Sequence, residues 1–146
     1  MAIANLTETI LAFKMRKNQL NLEITELHNQ KNLAAYAQGD CRTLEAARKG
    51  EVRSKYAEIW EKEGYDTDTT DAYSDYTELP EYEDEIDRIV AEAQRQLDEL
   101  TAWETAIDTQ LTTASTELEE INAYLESYSS KLSANIQEDF NFGLGG

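Results

Sequence analysis

The stretch PEYEDEIDRIVAEAQRQLDELTAWETAIDTQLTTASTELEEINAYLESYSSKL, residues 80–132, decides the fold. Within it Ile86, Val90, Ala93, Leu97, Leu100, Glu104, Ile107, Leu111, Ala114, Leu118, Ile121, Leu125, Tyr128 and Leu132 follow one another in alternating steps of four and three, and only Glu104 is charged. A seven-residue repeat held for so long places these side chains on one stripe of a helix. Its period of 3.5 is that of a coiled-coil seam with a left-handed supercoil. Pro80 suits a first helical turn, where its missing N–H costs nothing, and Glu81, Glu83, Asp84 and Glu85 set negative charge against the positive end of the helix dipole. The pattern predicts one helix over 80–139, roughly 90 Å long at about 1.5 Å per residue.

Upstream, Ile3, Leu6, Ile10, Phe13, Lys17, Leu20, Ile24 and Leu27 repeat the three-and-four spacing with one polar interruption, Lys17. A second helical arm over 2–63 is expected. Its register weakens through Lys31, Ala34 and Cys41, and Gly39-Asp40 and Lys49-Gly50 are candidate breaks, because Gly costs about 1 kcal/mol relative to Ala inside a helix. Val52, Tyr56, Ile59 and Trp60 mark a short amphipathic segment that ends at Gly64. One bent helix and three pieces both fit the 2–63 arm.

Between the arms, residues 64–79 are acidic and rich in Tyr and read as a loop. The end, residues 140–146, is read as a flexible tail unable to continue the helix. Residues 1–60 carry nine basic and seven acidic side chains, residues 61–90 two and twelve, and residues 91–146 two and eleven. Antiparallel pairing of a basic arm with an acidic one satisfies both apolar stripes and the charge. The expected fold is therefore all-α, a long antiparallel helical hairpin forming a single elongated domain over 1–146. Separate pairing of each arm with another chain is the alternative, and it brings like charges together along the acidic arm. The seam residues are Leu6, Ile10, Phe13, Leu20, Ile24 and Leu27 on one arm and Leu97, Leu100, Ile107, Leu111, Leu118, Ile121, Leu125 and Leu132 on the other.

Net charge of −17 disfavours nucleic acid, whose phosphates need clustered Lys and Arg, and disfavours anionic membrane surfaces. No apolar run reaches the length of a membrane span, so membrane insertion is not expected. The start, Met1-Ala-Ile-Ala-Asn-Leu-Thr-Glu, lacks a basic region followed by an apolar one, which points to a cytoplasmic protein or one exported by a leaderless route.

Catalysis finds little to work with. Cys41 and His28 are the only residues of their kinds, which speaks against thiol or imidazole metal sites and nucleophilic catalysis. Asp66, Asp68 and Asp71 resemble the start of a calcium loop, but Asp71 stands where Gly is needed for the turn and Thr77 where the closing Glu belongs. No Gly-rich phosphate loop occurs, and carboxylates on solvated helix faces stay ionised. The expectation is a protein that is not an enzyme and uses no cofactor or metal. Apolar residues without a regular element to bury them mark contacts, which makes Phe140, Phe142 and Leu144 candidate contact residues, with Tyr65, Tyr73, Tyr76 and Tyr82 forming another surface. Lys17 and Glu104, the polar seam residues, fall opposite about residues 127 and 40, so they do not pair with each other.

This layout, with Met1-Ala-Ile-Ala-Asn opening directly into a periodic helix and a long helix closing through Asn135-Ile136 to Phe142, resembles flagellins and the needle and filament subunits of type III secretion systems. It departs from them in the length and regularity of its seam. The resemblance implies terminal helices that pair and assemble while the middle faces outward. The layout is also similar to cytosolic hairpin adaptors of the same export systems. Two readings follow: a structural subunit that self-assembles into a filament, appendage or particle, as a homo-oligomer or larger protein assembly, and a coiled-coil adaptor or secretion chaperone that binds a basic partner.

Overall fold

A computed structural model describes residues 2–62, 73 and 75–145, the last four of these by their backbone alone. Two long helices, α1 (Ile3–Lys62) and α2 (Pro80–Gly145), account for nearly all of it, and no strand occurs among the described residues. A 3-10 turn, Tyr76–Glu78, leads into α2. Asp75 caps that turn by accepting from the Thr77 N–H at 2.6 Å, and Leu79 donates to the Tyr76 carbonyl at 3.1 Å. Pro80 opens α2 as its spacing predicts, and Glu83 N–H donates to the Leu79 carbonyl to start the ladder.

The packing falls into two compact units, one of Met1–Lys31 with Thr105–Gly146 and one of Asn32–Glu104. In the first, Arg16 meets Glu117 and Lys31 meets Asp108. In the second, Gln38 meets Glu104, Arg48 meets Glu92 and Lys55 meets Glu85. In each, numbers fall along α2 as they rise along α1, so the helices run antiparallel and the chain is an all-α helical hairpin. Among the described residues, the ion pairs Arg16–Glu117, Lys31–Asp108, Arg48–Glu92 and Lys55–Glu85 each set a base of α1 against an acid of α2, as the charge asymmetry predicts.

Leu20, Ala114 and Ile121 form the buried centre of the first unit, with Phe13, Ile24, Leu118 and Leu125 packed around them. Full burial of each large aliphatic here contributes roughly 1.5–3 kcal/mol. At one end Phe13 stacks on Tyr124 and Tyr128, with ring centroids 5.4 and 5.7 Å away.

Five expectations change. The α1 register does not weaken after Leu27, because Ala34 and Cys41 are buried in the second unit. These side chains are small enough to bring the backbones together, and Cys41 Sγ lies 3.7 Å from the Ala93 carbonyl oxygen. Nor does α1 break at Gly39 or Gly50. The helix is already nucleated on both sides, so a glycine costs about 1 kcal/mol and not a new nucleus. The backbone of α2 likewise stays helical through 140–145, where an ended helix and a flexible tail were expected: no proline intervenes, and each added residue gains a hydrogen bond.

The fourth change is one of register. Past Cys41 the inward positions of α1 are Glu45, Lys49, Val52, Tyr56 and Trp60, stepping by four, four, three, four and four. On α2 the facing positions are Tyr82, Glu85, Ile86, Ile89 and Ala93, while Val90, a predicted seam residue, is 40% exposed. Cys41 to Val52 and Tyr82 to Ala93 are both eleven-residue spans. A repeat of eleven undoes the left-handed drift of a seven-residue repeat, so the seam is locally straightened on both helices at once. Tyr82, expected at a contact surface, is instead buried edge-on against Tyr56 at 5.6 Å and Tyr76 at 5.4 Å.

Candidate interaction surface

Apart from Val90, the large apolar seam residues are buried or half-buried: Leu6, Ile10, Phe13, Leu20, Ile24, Leu27, Ile107, Leu111, Leu118, Ile121, Leu125 and Leu132 in the first unit, Leu97 and Leu100 in the second. They face the partner helix of their own unit. Of the tail residues, Phe140 is exposed, and the side chains of Phe142 and Leu144 lie outside the described residues, as do Asp66, Asp68, Asp71 and Tyr65.

What α1 does leave uncovered is a second apolar row, on the side away from the seam. In the first unit it comprises Leu11 and Met15, each 58% exposed, and Leu22 at 70%. In the second it comprises Leu33 at 61% and Tyr36 at 74%. Exposed leucines scattered singly need no explanation, but aligned ones form a patch. The row was legible in the sequence, because Leu11, Met15 and Leu22 share a phase four and seven residues apart. The more regular inner seam obscured it. The outer surface of α2 is different in kind. Thr109, Thr112, Thr113 and Thr116 donate their hydroxyls to the carbonyls four residues back, at 2.9–3.1 Å, which spends those groups within the helix.

Among polar groups, Arg16 grips Glu117 with two parallel bonds of 2.8 and 2.9 Å. These bonds hold the Glu117 carboxyl below the usual carboxylate range and raise the Arg16 guanidinium. Glu104, the polar residue in the α2 seam, accepts from Gln38 Nε2 at 2.8 Å, close to the expected position 40. Lys55 donates to one Glu85 oxygen at 3.2 Å, while the other oxygen is buried without a hydrogen-bond partner. Burial first, then this negative charge, pushes the Tyr56 hydroxyl up.

A shallow groove of about 430 Å³ beside Cys41 is lined by Ala37, Leu44 and Leu100 with Asp40, Gln96 and Glu99. Among the described residues no cluster of three or more His, Cys, Asp or Glu is placed to hold a metal ion, and no helix is long and apolar enough to cross a membrane. No family model, curated protein or solved structure matches the chain.

Proposed function

We propose that this chain is a non-enzymatic structural protein, a helical-hairpin subunit that assembles with copies of itself into a larger particle, filament or appendage. The reading is carried by the outward row of α1: large apolar side chains in helical phase, left over after the inner seam has been satisfied. Water exposure of such a row is costly, and association with protein relieves it.

The adaptor reading draws on a different observation. Helix α2 carries sixteen acidic and three basic side chains, and among the described residues Glu85, Glu92, Asp108 and Glu117 pair with bases of α1. Such a surface attracts a basic partner through a salt-sensitive interaction. Light scattering coupled to size exclusion over a wide concentration range, with negative-stain images of the same fractions, separates the two. Mass that grows with concentration supports the subunit. A constant monomer mass counts against it and directs attention to basic partners.

A further inference from the structure

Resting on the reading that the chain assembles with itself, we propose that the outer face of α1 in the first unit is the contact, and that its occupant is the same face of a second copy laid antiparallel. The positions concerned are Leu11, Met15, Asn18, Leu22, Thr25 and Asn29, all exposed and none charged. At about 100° per residue they lie within a sector about 80° wide. Their steps are four, three, four, three and four, which is a second seven-residue seam facing away from the first. In a chain with 29% charged residues, an uncharged stripe of five turns is a surface that a strongly charged partner does not match.

A second copy matches it. With two such seams antiparallel, Leu22 of each copy lies across from Leu11 of the other, and Met15 across from Asn18 beside the two-fold axis. In the same register Glu8 falls across from Thr25, one rim sets Lys14 near Asn21, and the other sets Ala12 near Gln19 and Glu26 near Asn5, so no like charges meet. This matters for a chain of net charge −17. In this unit the acids of α2 lie behind α1, so in the pair the two α2 segments are separated by both α1 helices, roughly 20 Å, against a screening length of about 8 Å in physiological salt. The contact is isologous and closes as a dimer. Short helical faces bury well under about 1,200 Å², the size range of weak, transient contacts, so the dimer is expected to form only at high concentration.

Sedimentation equilibrium of the full chain from about 1 μM to 1 mM tests this, with Leu22→Glu as the disrupting variant and Thr116→Glu, on the outer face of α2, as control. Far-UV circular dichroism checks that both remain helical. The expected result is a wild-type dimer weakened roughly a hundredfold or more by L22E, because two carboxylates are forced into one apolar seam, and unchanged by T116E. Equal loss in both variants, or a dimer indifferent to L22E, overturns the assignment. Self-association of the wild type that L22E leaves intact refutes this contact alone. A wild type that stays monomeric at every concentration refutes the subunit reading as well. Orientation is read by mixing Leu11→Cys and Leu22→Cys proteins under mild oxidation, Cys41 being buried. Disulfides between 11 and 22 support the antiparallel pair, and a predominance of 11–11 and 22–22 products overturns it.

Discussion

Replacing Leu20 by Ala removes three carbon atoms from a site with no solvent exposure, packed between Ala114 and Ile121 and ringed by Phe13, Ile24, Leu118 and Leu125. At about 0.8 kcal/mol for each buried carbon the transfer loss is roughly 2.4 kcal/mol. Ala114, the small partner at this layer, has no side chain to swing into the space, so a cavity persists. That raises the cost to about 3–4 kcal/mol, within the range seen for buried leucines. With a urea m-value of about 2 kcal/mol/M, the unfolding midpoint drops by roughly 1.5–2 M. Trp60 and Trp103 both belong to the other unit, so far-UV circular dichroism is the appropriate signal. Ile136→Ala, at a site 50% exposed in the same unit, is the control and shifts the midpoint by about 0.3 M or less. Equal shifts for the two variants, or a shift below about 0.5 M for Leu20→Ala, would show that Leu20 is not in the core and that the seam assignment fails.

The straightened register makes Ile89→Ala more damaging than Val90→Ala by about 1 kcal/mol or more, measured by the same denaturation; the reverse order restores the uninterrupted seven-residue seam. At Gly39 and Gly50 an added Cβ meets nothing within 4 Å, so Gly39→Ala and Gly50→Ala each raise stability by about 0.5–1 kcal/mol, and a loss at either site means the helix is not continuous there. Because the Arg16 hydrogen bonds lower the Glu117 carboxyl in the folded state, the stabilisation they supply is present above the unfolded glutamate value and lost as pH falls through the folded one. A carboxyl-detected NMR titration places the Glu117 midpoint lower in the wild type than in Arg16→Gln, and coincident midpoints refute the pairing. Tyr56 has the opposite sign: its raised hydroxyl leaves stability intact below the unfolded tyrosine value and withdraws it as pH climbs through the folded one. Tyr56→Phe therefore flattens the alkaline limb of the stability profile.

The two helices, their antiparallel sense and the face each turns inward were legible in residue order, because hydrophobic period and charge asymmetry are properties of the chain itself. Leu20, Ile107 and Ile121 needed only their spacing to be placed in a core. Three features were settled only in the folded structure. Val90 and Ile89 are adjacent apolar residues, and a change from a seven- to an eleven-residue repeat shows only when Cys41 to Val52 and Tyr82 to Ala93 are seen to face each other. Gly39, Gly50 and the last residues of α2 look like stops on local propensity, yet a helix nucleated and packed elsewhere carries through a penalty of about 1 kcal/mol. Leu11 and Leu22 share a phase of their own in residue order, but that this second stripe stays exposed while Leu20 and Leu27 are covered shows only in the packed helices. That is decided by packing geometry, since one helix shields only one side of another, and the side left bare on α1 is where a second molecule has something to bury.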